Sequence, residues 1–154
     1  MEQASSAGVM SPEGIALIQR WESCRLKVYQ DSIGIWTIGF GAIRGLDGLR
    51  LTAVSPSITQ AQACFLLLRD SKIAAQAVAA LIDRQLSSAQ AGALGSWVFN
   101  LGESRLKTST LRRVINSGQV GRIAEEWVKW NRAGGKVLAG LTARRQAELA
   151  VYQG

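Results

Sequence analysis

In the stretch WESCRLKVYQDSIGIWTIGFG, residues 21–41, Glu22 stands beside a tryptophan, Asp31 follows nine positions later and Thr37 six beyond that. Two carboxylates in unlike surroundings can divide acid and base work between them, and a nearby hydroxyl can hold the water that one of them directs. Cleavage of a glycosidic bond needs such a set: a protonated acid for the leaving oxygen, and an ionised partner for water or developing positive charge. Glu22, next to Trp21 at the end of an expected helix, has apolar neighbours and the negative end of a helix dipole, both of which favour the protonated form. Asp31 falls in a polar, glycine-flanked turn that keeps it ionised. The same spacing also describes two surface acids and an ordinary strand threonine, so spacing alone leaves both readings open.

Composition narrows the chemistry. The 154 residues include no histidine, which removes Ser-His-Asp hydrolysis, Cys-His proteolysis and most zinc catalysis. Carboxylates must do the proton transfer, and neither a metal nor another cofactor is expected. Cys24 and Cys64 have no C-x-x-C spacing and read as free thiols of a reducing compartment. A net charge of +7 favours an anionic partner: nucleic acid, an anionic membrane surface or an anionic cell-wall polymer. No stretch has the pattern of a signal peptide or the length of a membrane span, so the protein is expected to stay where it is made.

The elements that must hold these residues begin after a short loose lead over residues 1–10. Ser11 can cap a helix with Pro12 at its first position and Glu13 facing the positive dipole end. Ile15, Ile18 and Trp21 follow at helical spacing, and the helix is expected to end near Ser23, with Glu22 in its last turn. From Leu26 the residues alternate and become β-branched and aromatic, which predicts a hairpin turning near Asp31 to Gly34. A third short strand is expected around Leu49 to Leu51.

Thr59 and Gln62 form a capping box at the head of a long alanine-rich helix, the expected spine of the fold. Further helices are predicted at roughly 87–101, 109–117, 120–132 and 141–152, stopped in turn by glycines such as Gly102, Gly118, Gly134 and Gly135. Trp127 and Trp130, three apart, read as core. The fold class is α+β: one domain over 1–154, with a small sheet lobe at about 24–56 and a mainly helical lobe at about 59–154.

The pattern E-x-x-R-L-x-x-Y-x-D-x-x-G-x-x-T-I-G-x-G, carried by Glu22, Arg25, Leu26, Tyr29, Asp31, Gly34, Thr37, Ile38, Gly39 and Gly41, closely resembles the catalytic segment of phage lysozymes. These are the endolysins of glycoside hydrolase family 24, and the likeness is strongest to those of lambdoid-like phages. It continues through ITQAQACFLLLRD (58–70), FNLGESRLKTSTLRRVINSG (99–118) and AGGKVLAGLTARR (133–145). The resemblance implies a lysozyme-like fold and a muramidase that hydrolyses the β-1,4 bond between N-acetylmuramic acid and N-acetylglucosamine. Glu22 would be the general acid, with Asp31 and Thr37 positioning the attacking water. It implies that an arginine of the GLTARR segment pairs with the acid, leaving Arg144 and Arg145 both as candidates. It also makes Asn100 a candidate sugar contact, although a helix-end amide bonding to backbone has the same sequence.

Two positions depart from the pattern. Ala42 stands where these lysozymes commonly carry a histidine, and Asp70 where that histidine's acidic partner lies in one branch. Cys24 lies close to the acid and reads as a small buried hydrophobe.

The resemblance implies peptidoglycan as partner, and a monomer is expected; the net charge adds an anionic cell envelope, and the lack of a signal or anchor pattern, unlike the signal-anchor branch of the family, leads us to expect residence in the host cytoplasm and release that depends on a separate holin. Two alternatives stay in view: a lytic transglycosylase or peptidoglycan-binding variant, and a basic nucleic-acid-binding helical domain built on LRRVINSGQVGR and TARRQ.

Overall fold

A computed structural model describes residues 8–154. Of the expected loose lead, residues 1–7 lie outside the described residues. Met10 is a correction to that expectation, because it is core: it packs between the first and third helices.

Helix α1 spans Pro12–Trp21, with the Ser11 hydroxyl accepting from Gly14 N at 3.3 Å. It ends one residue earlier than expected for the acid. Glu22 is the C-cap in an extended conformation (φ −97°, ψ 131°), its N–H still bonded to Ile18 O at 2.8 Å. Strands β1 (Arg25–Gln30) and β2 (Trp36–Gly39) pair antiparallel, Tyr29 opposite Thr37, with a register shift between Arg25 and Tyr29 that bends β1. The expected third strand does not form. Residues 45–49 make a tight turn in which Gly48 has φ 78°, and only an isolated bridge links Arg44 to Arg50. The turn is held to the spine helix by Arg69, which donates to Gly45 O and Arg44 O at 2.6 and 3.0 Å.

That spine, α2 (Gln60–Leu81), carries the expected capping box in both directions. Helices α3 (Ser88–Leu101), α5 (Thr110–Asn116) and α7 (Ala139–Gln153) match the predicted segments. One helix and one two-stranded hairpin lie outside the expectation. Helix α4 (Glu103–Thr108) follows α3 directly, because Gly102 at φ 95° ends one helix and begins the next. Helix α6 (Val120–Val128) stops short of the expected 132, since Gly134 and Gly135 adopt φ 57° and 77° and turn a small hairpin, β3 (Arg132–Ala133) with β4 (Lys136–Val137).

Helix α3 is the hub, packed against α1, α2 and α7. Its apolar positions close the core with Trp97 and Trp127, both fully buried. Trp127 meets Tyr152 at 5.0 Å between centroids, and the half-buried Trp130 stands edge-on to Trp97 at 5.2 Å. Helices α1 and α3 cross backbone to backbone at Gly14 and Gly92: a methyl group built on Gly92 would lie 2.6 Å from Gly14 N. Glycine is needed there because of that approach. Among the described residues no helix is long and apolar enough to cross a membrane.

Candidate active site

The α1–α3 crossing sets where the end of α1 lies, and with it Glu22. There the Glu22 carboxylate meets Arg144 of α7, Nη1 to Oε1 at 2.7 Å, across 122 residues of chain. Arg144 is nearly inaccessible, whereas the Glu22 side chain keeps 28% of its exposure, so the carboxylate opens toward solvent on one side only. The arginine thus facing the acid is Arg144.

Arg144 is held from three directions. Its Nε donates to Glu148 Oε1 at 3.1 Å, and its Nη2 reaches Ser96 O at 3.4 Å and Ser96 Oγ at 3.3 Å. Ser96 Oγ donates in turn to Glu148 Oε1 at 2.8 Å. Arg145 points behind this group. Its Nη2 donates to Asn100 Oδ1 at 2.9 Å and to Glu148 Oε1 at 3.1 Å. Its Nε lies 2.9 Å from Glu148 Oε2, yet the N–H is directed away, so that contact is Coulombic attraction without a hydrogen bond. Burial pushes the Glu148 carboxyl up, against the pull of both guanidinium charges and the Ser96 hydroxyl. Burial likewise brings Arg145 down to about 10, opposed by the charge of Glu148. Desolvation therefore works against charge on both partners of this pair.

Glu148 and Ser96 were not singled out from sequence. The available signal was the position of Glu148, four residues after Arg144 and three after Arg145 on one helix. Nothing comparable pointed to Ser96, which reaches the group only through helix packing.

Asp31 and Thr37 are organised by the hairpin. Asp31 Oδ1 accepts from Ile33 N and Ile35 N, both at 2.9 Å, which closes the turn and fixes the carboxylate; Oδ2 makes no protein hydrogen bond among the described residues. Thr37 is buried, and its hydroxyl donates to Ile35 O at 3.0 Å. Both side chains therefore clamp Ile35, one at its N–H and one at its carbonyl. The Thr37 oxygen retains acceptor capacity only, a narrower role than the donor and acceptor expected from its type.

The departures from the lysozyme pattern have local accommodations. Ala42 is buried in a small cluster with Ile38 and Leu66. Asp70 keeps 31% exposure and pairs with Arg69 at 2.8 Å. Cys24 and Cys64 are free and partly buried, with Cys24 Sγ 3.8 Å from Gln60 Oε1.

Comparison with known proteins identifies the family. The family model for phage lysozyme matches residues 19–148. An endolysin of Acyrthosiphon pisum secondary endosymbiont phage 1 is 36% identical over 148 residues, covering 94% of this chain and 97% of that one. An endolysin of Salmonella phage P22 is 35% identical over 143 residues, covering 93% and 97%. The crystal structure of a P22 lysozyme variant superposes with a TM-score of 0.85 at 32% identity, covering 95% of this chain and 99% of that chain. By the extent of these matches, the chain belongs to the phage lysozyme family and is a glycoside hydrolase that lyses peptidoglycan.

Proposed function

We propose that the whole chain acts as one catalytic domain in which Glu22 protonates the leaving oxygen of the muramyl β-1,4 bond. The observation that carries this reading is the 2.7 Å contact of Arg144 with Glu22 at the junction of α1 and β1. Once the proton has left, Glu22 is an anion, and Arg144 is already in position to stabilise it by a charge-assisted hydrogen bond. Arg145 and Asn100 act one step behind, bracing the α7 guanidinium group, and the amide nitrogen of Asn100 stays available to a sugar.

Asp31 and Thr37 hold the attacking water. With the Thr37 hydroxyl proton already given to Ile35 O, the water donates one hydrogen to Thr37 Oγ1 and the other to the unoccupied Oδ2 of Asp31. Its lone pair is then aimed away from both, at the anomeric carbon; as the C–O bond forms from the face opposite the leaving group, the water's proton passes to Asp31 Oδ2, and the configuration is inverted.

The enzyme works as a monomer on glycan strands, not on nucleic acid. It waits in the host cytoplasm and reaches the wall after a separate holin has opened the membrane. Its net charge of +7 draws it to the anionic envelope.

Glu22→Gln tests the acid role. The variant is expected to melt as the unsubstituted chain does and to lose clearing of outer-membrane-permeabilised Gram-negative cells; wild-type clearing would sink the assignment. Mass analysis of the digest decides the water's role. Reducing muramic ends are expected, and anhydro ends would mean a lytic transglycosylase and overturn the parts given to Asp31 and Thr37.

A further inference from the structure

Helix α2 has two apolar stripes. One, including Ala63, Leu66, Leu67, Ala74 and Val78, is buried in the core. The other is open to solvent: Phe65, Leu68 and Ile73 keep 56%, 50% and 68% of their exposure. With Arg69 and Lys72 they fall at i, i+3, i+4, i+7 and i+8, a single helix face.

The patch does not end at the helix. Arg69 grips the carbonyls of Arg44 and Gly45, which brings the 45–49 turn against this face. On that turn Leu46 and Leu49 are 46% and 66% exposed. They border an apolar cleft of about 190 Å³ that reaches in to Ile38, Pro56 and Ile58. Soluble monomers seldom gather so many uncovered large apolar side chains on one helix face and the turn held beside it without using them.

The charges around the patch select what covers it. Arg44, Arg50, Arg69 and Lys72 stand against Asp47 and Asp70, so four cations against two carboxylates leave a surplus of two. Asp70 is paired with Arg69, and Asp47 Oδ1 is turned inward to Leu49 N at 2.9 Å. A second copy of the chain would bring the same cations face to face. A glycan or nucleic acid would leave Phe65, Leu68 and Ile73 without an apolar partner.

We propose that this face, formed by the outer stripe of α2 and the 44–50 turn, docks on an anionic lipid bilayer. Arg44, Arg50 and Lys72 sit at the phosphates, while Arg69 holds the turn in place, and the apolar side chains lie at the headgroup–acyl boundary, as in other interfacial helices. A patch of this kind holds the enzyme on the membrane surface next to the wall it cleaves, with no spanning helix required.

Co-sedimentation with vesicles tests this. The chain is expected to bind phosphatidylethanolamine/phosphatidylglycerol vesicles, to release with salt, and to ignore phosphatidylcholine vesicles. Phe65→Ser with Leu68→Ser should weaken partition about tenfold per side chain. Lys72→Glu should weaken it more than about fivefold. Both variants alter exposed side chains only and are expected to keep their rate on soluble peptidoglycan fragments. Glu22→Gln should bind vesicles undiminished, so this reading stands or falls separately from the catalytic one. Failure to bind anionic vesicles, equal binding to phosphatidylcholine, or concentration-dependent dimers abolished by the double serine variant would each overturn it.

Discussion

A single methyl group placed at Gly92 should be felt at Glu22. The added carbon would overlap Ser11 Oγ and lie 2.6 Å from Gly14 N, whereas ordinary contact begins at 3.4 Å, so α1 and α3 must part by about 0.8 Å or more. Overpacking of this kind costs about 1–3 kcal/mol, and disturbing the Ser11 cap adds about 1 kcal/mol. Replacing a helical glycine returns about 1 kcal/mol of propensity, which leaves a net loss of about 1–3 kcal/mol. At about 2–4 °C per kcal/mol for a chain of this size, Tm should fall by about 2–12 °C. Because α1 delivers Glu22 to Arg144, a displacement approaching 1 Å should also cost on the order of a hundredfold in rate on peptidoglycan.

The matched control is Gly121→Ala on α6, where the new methyl meets open space. There the same chemical change should raise stability by about 0.5–1 kcal/mol and leave the rate alone. Thermal unfolding and cell-wall clearing, run on the two variants side by side, read both quantities. If Gly92→Ala melts and turns over like the unsubstituted chain, the backbone crossing does not position the acid, and the chain of reasoning from glycine to Glu22 fails.

Other perturbations address single contacts. Arg144→Lys keeps the charge but can reach only one of Glu22, Glu148 and Ser96, so it should lose about 1–3 kcal/mol of stability by thermal melt and much of kcat. Asp31→Asn keeps the two turn-closing hydrogen bonds to Ile33 and Ile35, so it should retain its melting temperature while losing turnover, and a matching loss of both would give Asp31 a structural role only. Glu13 has its carboxyl held below the usual range, first by a backbone hydrogen bond and next by Ser88, so its contribution is present above the unfolded-state value of 4.5 and lost as pH falls through the lower folded value. Glu13→Gln should therefore lower Tm at neutral pH and match the unsubstituted chain in strong acid, as melts across that range would reveal. Turnover on whole envelopes should decline as salt is added, which a rate series in sodium chloride checks.

Where local chemistry decided local structure, the sequence was a sufficient guide. Ser11 with Pro12, and Thr59 with Gln62, start helices because side chain and backbone satisfy one another within four residues, and both helices begin where these caps lie. Asp31 closes its turn for the same reason. What escaped depended on distant partners or on one glycine's φ. The 49–51 segment has strand-like residues, but its pairing with 43–45 amounts to one bridge and two backbone hydrogen bonds across a turn that Arg69 of α2 holds, too short a ladder for a strand. Helix α4 was hidden because Gly102 reads as a stop and is also a start. The pattern around Glu22, Asp31 and Thr37 was legible as a set. The choice between Arg144 and Arg145 was not, because neighbouring helix positions differ by about 100° of rotation and only the packing of α7 on α3 decides which faces the acid. Glu148 looked like any helix-surface acid until its complete burial was seen.

The 122 residues that separate Glu22 from Arg144 also impose a timetable. The acid leaves the ribosome well ahead of its partner in α7. At about 5–20 residues per second, Glu22 spends about 6–24 s of each synthesis with no guanidinium opposite it. A nascent or prematurely terminated chain thus carries the acid without the group that completes its surroundings. On the roles proposed for Glu22 and Arg144, only molecules whose translation has run through α7 can cut the wall.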